Sequence, residues 1–373
     1  MRLIKNGLVL DSNMLKFYEN DVLIENDKIV GVGKIDENTV DAEIIDATDM
    51  YVIPSFFDIH THGAMGEDFL TAEVESYDKL LNYYEKNATK SVYATTVTAS
   101  NEKVINAVKN IREASKKNTK VHIEGIHIEG PFISRECPGC HMLSEIRNPN
   151  IKELDEICEA ADGLKLRITV APELPGAEEF IKESVKRGIN IGIGHSNADS
   201  ETVKKALSWG ANVMIHLYNA MSPLHHRKAG CVGIGLASNA YTELIVDGKH
   251  VNPDVVALTY KVKGSQELVL ITDSMQAAGM PDGEYEIGGI KVIKEKDMVK
   301  TSDGTLAGST LNLLDAVKNL TKFSTATLAE AIVCASQNPA KVVGLDKIIG
   351  SIEYGKRADI TLLNKELNVV NVI

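Results

Sequence analysis

Long apolar runs are missing from this chain. None approaches the ~20 residues needed to span a bilayer, so no membrane partner is expected. The opening stretch, MRLIKNGLVLDSNML, has neither a long apolar core nor a small-residue cleavage site, which predicts no export signal and a cytoplasmic location. Cysteine is scarce and odd in number: Cys137, Cys140, Cys158, Cys231 and Cys334 fit reduced thiols better than a disulfide framework. Positive charge is in the minority. Its 40 Lys and Arg face 52 Asp and Glu, and the formal charge of -12 argues against nucleic acid as a partner. A local basic cluster facing a small anionic substrate stays compatible with that balance. Internal repeats and low-complexity segments are absent as well.

What remains is an ordinary globular composition, 44% apolar and 25% charged. Its 373 residues suffice for two domains or for one large barrel with a small companion. Residues 1–53 read as short strands punctuated by Asn6-Gly7, Asn26-Asp27 and Gly31. Residues 346–373 read the same way, through GSIEYGKRADITLLN and VVNVI. Both ends together predict one small β-sandwich domain. Between them, residues 54–345 alternate strand with helix. Candidate strands are FFDIHTH (56–62), SVYATTVT (91–98), VHIEGIHIE (121–129), LRITVAP (166–172), INIGIG (189–194), NVMIH (212–216), ELIVD (243–247) and ELVLIT (267–272). Eight strands with intervening helices predict an α/β fold of the (β/α)8 TIM type. A doubly wound open sheet is the alternative, and no glycine-rich phosphate fingerprint supports it. Pro253 suits the first turn of the helix after strand seven. GEYEIGGIKVIKEKDMVKTSDG reads as an inserted hairpin, and helices over 309–321 and 327–337 complete the barrel.

All ten histidines lie between His60 and His250. Asp58, His60 and His62 share a parity, so an extended chain projects them to one side. Two imidazoles one residue apart can ligate one divalent ion, although a lone His-x-His is as readily a pair of hydrogen-bonded structural residues. The other strand ends decide between these readings. In order they carry Glu129, His195, His216 and Asp273, and catalytic residues of such barrels sit at the C-terminal ends of strands. A carboxylate buried there is costly unless paired or metal-bound. Four histidines and two carboxylates at five strand ends favour a shared metal site over separate structural residues.

The set HTHG, HIEGPF, GHSNA, HLYNAMSPLHHR, VDGKHV and ITDSM resembles the amidohydrolase superfamily and, within it, the N-acetylglucosamine-6-phosphate deacetylase family. GTLAGSTLNL and NPAKVVGL fit that family too, so the resemblance runs almost end to end. It implies hydrolysis of the acetamide of a phosphosugar, by a divalent metal ion, zinc or iron, one or two per subunit. Glu129, His195 and His216 match the ligands of the ion all members hold. His60 and His62 match those of a second ion, with Glu129 as bridge. Asp273 resembles the catalytic acid/base, which touches the second metal as well, and His141 the residue near the acetyl carbonyl. Asn219, Ala220 (through its backbone), Arg227 and His250 match phosphosugar-binding positions. In that family the arginine that Arg227 matches reaches the neighbouring subunit's site, so the resemblance implies a homodimer.

The sequence departs from the family at Lys228-Ala229, where Glu-Pro is usual after the arginine, and at Ser55, where Pro-Gly is common. Cys137-Pro-Gly-Cys-His141 formally matches a haem attachment or a redox pair. With no export signal and no second cysteine pair, both cysteines read as loop thiols. The rivals to this assignment are a deacetylase of another N-acetyl amino sugar phosphate and a non-catalytic phosphosugar sensor. A sensor needs neither Asp273 nor the full ligand set.

Overall fold

The computed structural model describes residues 1–117 and 119–373. Eight strands form one all-parallel sheet: Phe56–Thr61, Thr89–Thr96, His122–Ile128, Lys165–Val170, Asn190–Ile193, Val213–Met214, Tyr241–Ile245 and Leu268–Ile271. Each pairs with its neighbour in chain order. The last returns to the first through the Asp273 N–H, which donates to the His60 carbonyl at 2.9 Å, and the His62 N–H, which donates to that of Ser274 at 2.7 Å. The expected (β/α)8 barrel is the fold.

The helices around it start where side chains can cap them. Ser100 opens Asn101–Ser115, Asp199 opens Ser200–Ser208, and Asn252 with Pro253 in the first turn opens Pro253–Glu267. Each cap oxygen accepts a backbone N–H that has no partner inside the helix. Apolar residues of alternate strand parity, such as Ile126 and Ile128, face the helices in the largest of three buried clusters among the described residues.

The remaining strands of both termini are hydrogen-bonded as one seven-stranded sheet. Arg2–Asp11 is long enough to pair along one edge with Lys16–Glu25. Along the other it pairs first with Glu43–Asp46 and then with Tyr51–Pro54. Ile360–Leu363 joins Tyr51–Pro54, so the chain's two ends close one small core of Ile4, Val9, Val22, Ile29, Val52 and Ile360. Pro54 leads directly into the first barrel strand.

Two expectations near the C-terminus change. The hairpin is a three-stranded insert, Gly283–Ile287, Ile290–Glu295 and Met298–Thr301. Its third strand buries only Val299, too little apolar alternation to register in sequence. The helix expected at 309 starts at Leu313, because the Ser309 N–H donates to the Asp273 carbonyl at 2.7 Å and keeps that stretch extended. The second helix is Leu328–Ala335, and a third, Gln337–Val342, follows a break at Ser336. Among the described residues no helix is long and apolar enough to cross a membrane.

Candidate metal centre

Parallel strands of a barrel end at one rim, so residues distant in sequence meet there. His60 and His62 leave the first strand, Glu129 follows the third directly, and His195, His216 and Asp273 each stand two residues past a strand. These last three have positive φ, 46°, 28° and 49°, turning the chain sharply off its strand.

Glu129 is the hub. Its Oε1 lies 2.9 Å from His216 Nε2, 3.3 Å from His60 Nε2 and 3.4 Å from His195 Nε2. Its Oε2 lies 3.1 Å from His62 Nε2 and 3.6 Å from His141 Nε2. Asp273 Oδ1 stands 3.1 Å from His62 Nε2 and 3.5 Å from His60 Nε2. Ligand atoms of His60, His62, Glu129 and Asp273 all fall within 4.8 Å of one another, and so do those of Glu129, His141 and His195. His216 Nε2 is 3.1 Å from His195 Nε2.

Hydrogen-bond partners fix which nitrogens are bare. His195 Nδ1 faces the Cys137 carbonyl oxygen at 3.0 Å, which only accepts, so in the neutral ring Nε2 presents a lone pair. His60 Nδ1 faces the Glu243 carboxylate at 3.2 Å, with the same result. His60 Nε2 is buried and has no hydrogen-bond partner of its own. Bare nitrogens and carboxylates thus crowd one buried cluster, an arrangement that calls for positive charge between them. Neutral imidazole nitrogens and carboxylate oxygens are the donors that divalent first-row ions take. The residues fit a metal ion.

Without one, protons take its place. Burial pulls the His62 imidazole down, but hydrogen bonds to Asp273 and Glu129, and their charges, outweigh it and lift it to about 9. His60 is driven well above its ordinary range against the same burial, chiefly by the charges of Glu129 and Asp273. Burial would raise Asp273, yet the His60 charge and the His62 hydrogen bond hold it down to about 2. A histidine raised on folding stabilises the fold fully below its unfolded value of 6.5, and that contribution is lost as pH rises through about 9. Chelator-treated protein is therefore expected to lose melting temperature between those values more steeply than metal-loaded protein or a metal-free His62→Gln variant. Equal slopes for all of them would rule the proton-filled pocket out.

His141 faces the cluster from a loop. The Thr98 backbone N–H donates to its Nδ1 at 3.3 Å and the Thr98 hydroxyl lies 2.6 Å from it, so the ring hydrogen sits on Nε2. Burial, aided by neighbouring His195, lowers His141 to about 4. It is a neutral donor at physiological pH.

Above the cluster opens a cavity of about 600 Å³. His62, Glu129, His141, His195, His216 and Asp273 form its floor; Asn219, Ala220 and His250 line its wall. Ile287 of the insert, with Asp303, Thr305 and Leu306, also lines it. His60 lies buried beneath. Cys137 and Cys140 also line the cavity, but burial pushes both thiols up, Cys137 to about 11, so neither is a thiolate near neutrality. Arg227 is the one candidate the chain does not bring here. It is exposed, on a separate depression with Asn197, Ser200 and Ser222.

Two residues escaped the sequence reading. Glu243 and Arg167, both completely buried, form an ion pair beneath His60. The available signal was a charged side chain among mostly apolar neighbours, Glu243 in YTELI and Arg167 in KLRITV.

Residues 51–373 match the amidohydrolase family, and the chain belongs to it. It is 34% identical over 360 residues to N-acetylglucosamine-6-phosphate deacetylase of Vibrio furnissii, covering 95% of this chain and 90% of that protein. It is 36% identical over 321 residues to N-acetylgalactosamine-6-phosphate deacetylase of Escherichia coli O157:H7, covering 86% and 85%. The crystal structure of N-acetylglucosamine-6-phosphate deacetylase from Pasteurella multocida superposes with a TM-score of 0.94, at 30% identity, over 100% of this chain and 97% of that one.

Proposed function

We propose that this chain hydrolyses N-acetylglucosamine 6-phosphate to glucosamine 6-phosphate and acetate. The observation that carries the reading is one cavity floored by a histidine–carboxylate cluster, with Asp273 on one side and the neutral His141 on the other. Glu129, His195 and His216 would hold one divalent ion, and His60, His62 and Asp273, together with Glu129, would hold a second. Zinc or iron suits these donors. Such an ion, when bound, lowers the pKa of a water toward ~7 and polarises the acetyl carbonyl.

The side chains do the rest. Asp273 takes a proton from the attacking water and returns it to the sugar nitrogen as the C–N bond breaks, so the amine leaves neutral. His141 donates its Nε2 hydrogen to the carbonyl oxygen while charge builds there. Asn219, the Ala220 backbone and His250 bind the phosphosugar. The catalytic unit is residues 54–345, with 1–53 and 346–373 as its small companion.

Acetate release from metal-loaded protein tests the assignment. N-Acetylglucosamine 6-phosphate should be turned over well, and its unphosphorylated parent about 100-fold less efficiently, since charge-assisted hydrogen bonds contribute roughly 1.5–3 kcal/mol each. Faster turnover of the galactosamine epimer would change the sugar and keep the reaction. Binding without turnover would leave a sensor.

Arg227 points to a homodimer. It lies outside its own chain's cavity, in a loop from Met221 to Gly230 that is longer than a strand–helix connection needs. In this reading Arg227 of the partner subunit completes each phosphate site. Arg227→Ala should raise KM more than it lowers kcat, because phosphate is held alike in ground and transition states. Mixing it with Asp273→Asn should restore activity, as one heterodimer site then has both residues intact. No recovery despite demonstrated subunit exchange would confine Arg227 to its own subunit or exclude it from the site.

A further inference from the structure

Beneath the cluster lies buried charge that the reaction does not use. Arg167 and Glu243 sit inside the barrel with 0% exposure. A hydrophobic pair of similar volume stabilises a fold as well as a buried ion pair does, or better, so stability alone gives no reason for this one. Its contacts do. The Arg167 guanidinium meets Glu243 Oε1 and donates to the Ile59 carbonyl at 3.0 Å, one residue before His60. Glu243 Oε2 accepts the His216 backbone N–H at 3.3 Å and faces His60 Nδ1 at 3.2 Å. His127 packs edge-on to the His60 ring, centroids 4.5 Å apart, and its Nε2 lies 2.8 Å from the Thr169 hydroxyl. Every group the Glu243 carboxylate touches is thus a candidate ligand or a clamp on one.

We propose that Glu243, held by Arg167, is a positioning residue that keeps the His60 hydrogen on Nδ1 and the bare Nε2 toward Glu129 and Asp273, and so governs whether the site of His60, His62 and Asp273 takes its ion. This rests on the metal-dependent reading above. Three donors converge on Glu243: a guanidinium, an imidazole N–H and a backbone N–H. Only a carboxylate accepts from all of them. An amide at this position keeps its carbonyl toward Arg167 and turns its NH2 toward His60 and the His216 N–H. The imidazole then answers by moving its hydrogen to Nε2, which no longer ligates.

Zinc uptake by metal-free wild type and Glu243→Gln tests this, measured by equilibrium dialysis with elemental analysis. Histidine 15N spectra of the zinc-loaded proteins give the tautomers. Wild type should take two ions per chain, with His60 ligated through Nε2 and protonated at Nδ1. Glu243→Gln should keep the ion at His195 and His216 and bind the other about 10–100-fold more weakly. A general packing defect would not select one site in that way. Unchanged uptake of the second ion by Glu243→Gln, or wild-type His60 ligated through Nδ1, overturns the inference and leaves the proposed function standing. If Glu243→Gln does not fold, the wild-type spectrum decides alone. A wild type that takes up no zinc overturns the metal reading itself.

Discussion

Asp273→Asn is expected to lower kcat by several orders of magnitude while KM changes little. Loss of acid/base catalysis alone typically costs ~10²–10⁴-fold, and in the proposed reaction the same carboxylate serves both attack and departure. The asparagine amide accepts no proton from water near neutral pH. The proposed phosphosugar contacts, Asn219, Ala220 and His250, line the same cavity without being the substituted group, so binding should persist. Because Asp273 Oδ1 also stands 3.1 Å from His62 Nε2, metal content must be measured on the same preparation. A variant with full metal content and more than a tenth of wild-type kcat would remove Asp273 from the proton path.

Glu129→Gln should be as severe for a different reason. The carboxylate touches His60, His195 and His216 through one oxygen and His62 through the other, so it lies between both groups of ligands. The amide removes the negative charge and turns N–H donors toward nitrogens that must stay bare. Both ions should bind weakly. Losing several kcal/mol of transition-state stabilisation, at about 1.4 kcal/mol per tenfold, amounts to a fall on the order of 10³ in kcat. Excess zinc should recover little of it. Retention of both ions at wild-type affinity would show that Glu129 is not their bridge.

How legible this site was depended on chemistry standing at strand ends. His60, Glu129, His195, His216 and Asp273 each close or follow an apolar run, so the period-two pattern located the strand and its end together. Arg167 and Glu243 lie within strands. There, alternation marks a charged residue as facing the barrel interior or the helices without naming a partner, and their pairing joins the fourth strand to the seventh. The insert's third strand and the short helix at Gln337 were hidden because four to six residues carry too little periodicity. The strand order of the terminal sheet depends on one strand pairing along both edges, which no local pattern encodes. Arg227 was legible through resemblance; its own surroundings, an exposed loop, state no role.

Positive φ at His195, His216 and Asp273 has a consequence for how this protein responds to selection. Each left-handed residue with a side chain costs about 1–2 kcal/mol relative to right-handed backbone, and glycine there is nearly free of that cost. A population screened for heat resistance alone, with no demand for activity, would therefore be drawn to shed these side chains early, before any apolar residue of the barrel. The rim of the barrel is where durability and chemistry compete, and keeping both requires that any gain in robustness come from the helical shell or the terminal sheet.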